Sequence, residues 1–303
     1  MSERPPLVIT GPTGWIGQVV LMRLAATGGP GWSERVRLFG SRAATLTAAD
    51  GTALAVRPLD TLDGADVAGA HVVHLAYLTK EKAELLGERA FTDTNLAIDD
   101  RLLAACVAAP PAAVFVASSG AAALAADGRD RHPYGLCKLR QEDRLLDWGA
   151  RADVPVLAGR IWNIAGPYMN KTSAYALGDM LLQARRDRVI RVAAAVPVFR
   201  SYLHVADLAE LVLGALGEGI GQAAPLDLCG AEVLEMGDIA TRVARYSGLD
   251  AHAVARARLD TSRSSVYLGH FPDTKALALR LGLSLADFDR QLTDTAVWLE
   301  KHE

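Results

Sequence analysis

The chain has 303 residues, 50% of them hydrophobic and 22% charged, with a formal net charge of -3, enough for one large core or two smaller ones. That charge gives no electrostatic basis for binding nucleic acid or an anionic membrane, and no apolar run reaches the ~20 residues that span a bilayer. Three cysteines without a CxxC pair and seven scattered histidines without HExxH argue against a disulfide framework and a metal centre, and make the reducing cytoplasm the expected compartment.

The start, Met1-Ser2-Glu3-Arg4-Pro5-Pro6, lacks the basic and apolar segments of a signal peptide. An apolar strand, Leu7-Val8-Ile9, then enters Thr10-Gly11-Pro12-Thr13-Gly14-Trp15-Ile16-Gly17, followed by apolar residues at helical spacing up to Leu24. Strand, tight glycine turn and helix form the geometry that holds a dinucleotide pyrophosphate. Gly11 takes the backbone angles of the turn, Gly14 leaves room for the pyrophosphate, and Gly17 lets the helix pack closely on the strand. Free N–H groups at the helix start face the anion, which makes Gly11, Thr13, Gly14, Trp15, Ile16 and Gly17 the candidate cofactor turn.

Short apolar runs at 36–39, 54–56, 71–76, 112–117 and 154–158 predict further strands, with helical patterns such as 95–107 and 136–148 between them. This alternation means βαβ units and a parallel sheet. After residue 165 the rhythm loosens. Helices are expected over 175–184, 205–216, 236–248 and 287–301, with an extended piece at 196–199 and a strand at 226–228 returning to the main sheet. The expected fold class is α/β, a doubly wound parallel Rossmann sheet with a smaller C-terminal substrate-binding cap. Residues 1–165, joined by 200–230, form the first domain; 166–199 and 231–303 form the cap, over the carboxyl ends of the strands where open α/β sheets bind ligands.

Tyr134-Gly135-Leu136-Cys137-Lys138 sets a lysine four residues after a tyrosine at a helix start, so both lie on one face. A phenol of pKa ~10 is a poor proton donor or acceptor at neutral pH, and a neighbouring ammonium favours the phenolate. Upstream, Ser118-Ser119-Gly120 ends the fifth strand, where a hydroxyl meets the ligand crevice and hydrogen-bonds a substrate oxygen that changes charge.

These ordered motifs resemble the extended short-chain dehydrogenase/reductases, and within them the nucleotide-sugar epimerase/dehydratase/ketoreductase group. Arg160-Ile161-Trp162-Asn163-Ile164-Ala165-Gly166-Pro167 is similar to that group's RxxNxxGP, and Arg200-Ser201-Tyr202-Leu203-His204-Val205-Ala206-Asp207-Leu208-Ala209 to its R[DS]YIHVxDLA. The resemblance implies Tyr134 as general acid/base, Lys138 on the nicotinamide ribose, Ser119 on the reacting oxygen and Ser118 beside the cofactor. It further implies Asn163, Arg200 and Arg263 on the sugar diphosphate, where guanidinium forks match phosphate oxygens. Asp60 would bond the adenine amine and Leu75 and Ala76 would line the cofactor. His74, Asn95, His204 and Asp207 are structural. A homodimer is common in the group.

An acid at the end of the second strand reads a ribose 2′-hydroxyl in NAD-preferring sites. Here the strand ends Leu38-Phe39-Gly40-Ser41-Arg42, so Ser41 and Arg42 favour the 2′-phosphate of NADP(H) over NAD(H). Exchangeable NADPH points to net reduction, and the leading expectation is a 4-ketoreductase of a nucleotide-activated (deoxy)sugar, with Tyr134 supplying the proton. The alternatives are an NAD-dependent epimerase, a reductase of a non-nucleotide ketone or alcohol, and a cofactor-sensing regulator. Only 15 positions separate Ser119 from Tyr134, so the loop over the substrate is expected to be trimmed, and the segment lacks the Asp-Glu pair of 4,6-dehydratases.

Overall fold

The computed structural model describes residues 5–302; residues 1–4, within the stretch lacking signal-peptide character, and residue 303 lie outside it. Two compact units divide the chain, one of residues 1–161 and 209–227, the other of 162–208 and 228–303.

The first unit holds strands β1 (Leu7–Thr10), β2 (Val36–Gly40), β3 (Ala44–Thr47), β4 (Ala53–Pro58), β5 (His71–His74), β6 (Ala113–Ser119) and β7 (Val156–Ile161). With Leu226–Leu228 they form one eight-stranded sheet, in the order 226–228, β7, β6, β5, β1, β2, β4, β3. From β7 to β4 every pairing is parallel. Parallel strands covered on both faces read as continuous apolar runs, and all four residues of β1 are buried. The added strand β3 pairs antiparallel to β4. Its sequence, Ala-Thr-Leu-Thr, is almost wholly exposed at the sheet edge, so it carries no apolar run to announce it.

The helices are α1 (Trp15–Thr27), α2 (Gly64–Val67), α3 (Lys80–Leu86), α4 (Glu88–Ala108), α5 (Gly120–Ala126) and α6 (Pro133–Ala152). Leu102, Ala105 and Cys106 of α4 and Leu145 and Trp148 of α6 bury against Val8, Val72, Val114 and Val116. This is the doubly wound Rossmann arrangement. From β1 the chain builds β2 and β4 on one side, then returns through β5, β6 and β7 on the other. The order therefore reverses between β1 and β5, and such a switch point is where open α/β sheets bind ligands.

In the second unit α7 (Ala176–Asp187), the start of α8 (Val205–Gly217), α9 (Met236–Tyr246), α10 (Phe271–Arg280) and α11 (Phe288–His302) surround small sheets. Val198–Arg200 lies between Leu234–Glu235 and Ser265–Tyr267, while Asn163–Ala165 pairs with Tyr202–His204. Leu177, Ile190, Ile239, Val243, Phe288 and Leu292 make the core. Among the described residues no helix is long and apolar enough to cross a membrane, and no group of His, Cys, Asp or Glu is placed to hold a metal ion.

One glycine works differently from expectation. A Cβ on Gly17 would stand 2.6 Å from the Gly11 carbonyl oxygen and 2.7 Å from Pro12 Cα, so Gly17 lets α1 close on the turn itself rather than on the strand. Gly17→Ala should cost ~1–3 kcal/mol of stability by overpacking, measured by urea unfolding; an unchanged midpoint would show that the turn yields.

Candidate active site

The site begins at the last residue of β1. The Thr10 hydroxyl oxygen accepts from Leu75 N at 3.2 Å and Ala76 N at 3.1 Å, and its proton faces His74 Nδ1 at 2.8 Å. Gly11, at φ +72°, then passes so close that an added Cβ would meet Ala76 N at 2.8 Å. Leu75 and Ala76 are thereby fastened to the first glycine of the turn. Gly14 caps α1 without any side-chain hydrogen bond, and a Cβ there would meet only the Gly11 oxygen, at 3.4 Å. A helix start with no side-chain cap and open space above a glycine suits a pyrophosphate. Thr13 is exposed, Ile16 half-buried and Trp15 buried.

At the carboxyl end of β2, Ser41 and Arg42 are exposed and the residues flanking them in sequence, Gly40 and Ala43, include no acid; Asp60 is exposed in the short turn Leu59–Thr61 that follows β4.

Ser119 is the last residue of β6 and caps α5, its oxygen accepting from Ala121 N at 3.2 Å. The segment that follows is a helix rather than a trimmed loop, since Gly-Ala-Ala-Ala-Leu-Ala-Ala is rich in the strongest helix former. Ser118 is 4% exposed and its hydroxyl donates to Glu142, which Arg160 grips with two nitrogens. The Ser118 side chain is thus spent inside the unit.

Pro133 occupies the first turn of α6, and His132 caps it by accepting from Tyr134 N at 3.1 Å. Tyr134 is half-buried, while Lys138, one turn on, is only 4% exposed. Lys138 Nζ donates to the Ala117 carbonyl at 2.6 Å and to Gln141 Oε1 at 3.0 Å. Tyr77 completes its surroundings, with the ammonium 3.5 Å from the ring centroid. The same ring meets Tyr134 edge-on at 6.3 Å. Burial pulls the Lys138 ammonium down to about 7, against the opposing pull of Asp99 and Glu142. Burial also pushes the Tyr77 phenol far up, and the Asp99 charge adds to this.

Several of these neighbours are not singled out by sequence motifs. Gln141 Nε2 donates to Asp99 Oδ1 at 2.6 Å, and His74 Nε2 faces the same oxygen at 3.7 Å. Gln141 and Glu142 lie three and four places after Lys138 on α6, the helical spacing that brings them to its side. Asp99 bears the same relation to Asn95, whose Oδ1 accepts from Leu78 N at 2.8 Å.

In the second unit Asn163 Nδ2 donates to the Ser201 carbonyl at 3.1 Å, tying its strand to Tyr202–His204. Arg200 is half-buried, donates to the Phe199 carbonyl at 2.8 Å and lies over the Tyr267 ring at 5.6 Å. Arg263 is exposed and paired with Asp260. His204 Nδ1 accepts from Ala206 N at 3.0 Å, and Asp207 Oδ2 from Ala286 N at 2.7 Å, both internal ties.

A family model described as the NAD dependent epimerase/dehydratase family matches residues 7–224, well over half of the chain. No curated protein matches. Among solved structures, MoeE5 in complex with UDP-glucose and NAD is 21% identical over 98% of this chain and 99% of its own, with a TM-score of 0.74. TunA, an NAD dependent NDP-hexosamine 5,6-dehydratase involved in tunicamycin biosynthesis, is 19% identical over 98% of both chains, with a TM-score of 0.77. The UDP-N-acetylglucosamine 4-epimerase of Methanobrevibacter ruminantium M1 is 14% identical over 99% of this chain and 100% of its own, with a TM-score of 0.76. These likenesses speak for the fold; the family match establishes that the chain belongs to the NAD dependent epimerase/dehydratase family and is thereby an enzyme of the extended short-chain dehydrogenase/reductase type.

Proposed function

We propose that the enzyme is an NADPH-dependent 4-ketoreductase of a nucleotide-activated sugar. The observation that carries the choice of cofactor, and with it net reduction, is the exposed Ser41–Arg42 pair at the end of β2, a strand that ends with no Asp or Glu. An acid there would repel a 2′-phosphate; a guanidinium and a hydroxyl attract it. Bound nicotinamide supplies the hydride. Tyr134 supplies the proton to the substrate oxygen and Ser119 hydrogen-bonds that oxygen. Lys138 holds the ribose and, while charged, favours the Tyr134 phenolate.

Asn163, Arg200 and Arg263 are proposed for the sugar diphosphate, Arg200 first because it is already half-buried beside Tyr267, whereas Arg263 is exposed and ion-paired. Residues 166–199 and 231–303 serve as the cap that selects the sugar. The cysteine usage and the family resemblance support a cytoplasmic homodimer. An NAD-dependent epimerase is the second reading, favoured by the NAD in the family's own description. The cofactor that copurifies separates them, since an epimerase retains NAD through its cycle whereas a ketoreductase exchanges NADPH for NADP.

Arg42→Ala should weaken NADPH binding about ten- to a hundredfold, as expected for a lost charge-assisted bond, with NADH affinity little changed in the same titration. Equal effects on both cofactors would remove Arg42 from the 2′-phosphate. Tyr134→Phe should lower kcat by ~10²–10⁴ on reduction of a 4-keto nucleotide sugar; undiminished turnover would end the proposed proton transfer.

The Lys138 charge also has a pH signature. Its proton leaves near pH 7 in the folded enzyme but near ~10.4 in the unfolded chain. Between these values the unfolded state binds more protons, so this residue makes stability rise with pH. Lys138→Met lacks that slope. Its stability relative to the parent, followed by urea unfolding, should fall steadily from pH 7 to 10; a constant difference would show that Lys138 titrates normally.

A further inference from the structure

An ammonium has three N–H donors. Lys138 directs two at the Ala117 carbonyl and Gln141 Oε1, at 2.6 and 3.0 Å. The ring of Tyr77 covers the remaining side at 3.5 Å, a cation–π contact strengthened by its desolvated setting. With Lys138 at 4% exposure, a ribose hydroxyl has no approach to the ammonium while that ring stays in place.

Tyr77 lies between β5 and α3, in a segment that is neither helix nor strand. Its backbone is pinned on both sides, Ala76 N to the Thr10 hydroxyl at 3.1 Å and Leu78 N to Asn95 Oδ1 at 2.8 Å. Rotation about the side-chain bonds is the motion left to it. The closed position also carries a cost, because the buried Tyr77 hydroxyl meets no polar partner better than the Cys137 thiol, a weak acceptor, and a poorly satisfied buried donor destabilises the state that contains it.

We infer that Tyr77 is a displaceable plug on Lys138: its ring occupies the ammonium face that a cofactor ribose hydroxyl takes, and it swings aside for the dinucleotide to bind. The inference rests on the proposed role of Lys138 at the ribose. Tyr77 is then a positioning residue that sets cofactor affinity through the fraction of molecules in which the ammonium is uncovered.

The test is fluorescence titration of NADPH and NADH into the parent enzyme, Tyr77→Ala and Tyr77→Phe, with thermal melting as a check on folding. Tyr77→Ala removes the plug and should bind cofactor about tenfold more tightly. Tyr77→Phe keeps the ring and deletes the poorly satisfied hydroxyl, which stabilises the closed position, so it should bind about three- to tenfold more weakly. A residue that only packs would give the opposite order. Tyr77→Ala binding no more tightly than the parent overturns the plug. If Tyr77→Ala does not fold, Tyr77→Phe decides, and binding equal to or tighter than the parent overturns it. If neither the parent nor Tyr77→Ala binds a dinucleotide, the proposed function falls and the plug with it. Lys138→Met binding as tightly as the parent removes Lys138 from the ribose while leaving the cofactor itself in place.

Discussion

The backbone of the first glycine turn touches the backbone that leaves β5, and the rest of the candidate site depends on that approach. Gly11 has no room for a Cβ against Leu75 and Ala76, and the Thr10 hydroxyl holds both of their N–H groups. These are the ends of the two strands between which the sheet order reverses. Without the close approach, α1 and the segment carrying Tyr77 would be separate features; with it, they are held side by side. The same hydroxyl reaches His74, which faces Asp99, and Gln141 links Asp99 to Lys138. A buried polar chain of this kind rigidifies the groups it joins, and each missing member leaves another unsatisfied.

Charge balance explains how Lys138 survives burial. Asp99 and Glu142 are each 1% exposed and sit near it, while Arg160 grips Glu142. Two buried carboxylates face one buried ammonium and one half-sheltered guanidinium. Removing a single member of such a set leaves an uncompensated charge, which costs more than the intact set contributes. The serine beside the catalytic candidate belongs to this set: Ser118 donates to Glu142, so successive serines on one strand serve opposite sides of the sheet, as the two-residue period of a strand requires.

How far the molecule is legible in its sequence follows from which features leave a periodic trace. Strands β1, β5 and β6 are buried on both faces and read as apolar runs, and glycine spacing marks the turn that follows β1. The edge strand β3 leaves no such trace, because exposed Ala and Thr satisfy it equally as loop. Helix α5 stands after the serines where motif spacing suggests only a short loop, although its alanines favour a helix. Tyr77 was hidden for a different reason. It neighbours Leu75-Ala76, the pair proposed to line the cofactor, yet its contact with Lys138 spans 61 positions and depends on how β5 and α6 meet, which no local pattern encodes.

The cap that Ser119 provides to α5 has a consequence for the polarity of its hydroxyl. An alcohol offers one proton and two lone pairs. By accepting from Ala121 N, Ser119 commits oxygen electron density to the helix, and the proton is left to point elsewhere. A polar atom that comes to Ser119 meets an oxygen held in place by the helix, with the O–H proton still free to be donated. The seven residues of α5 thus act as a fixed mount for one hydroxyl oxygen.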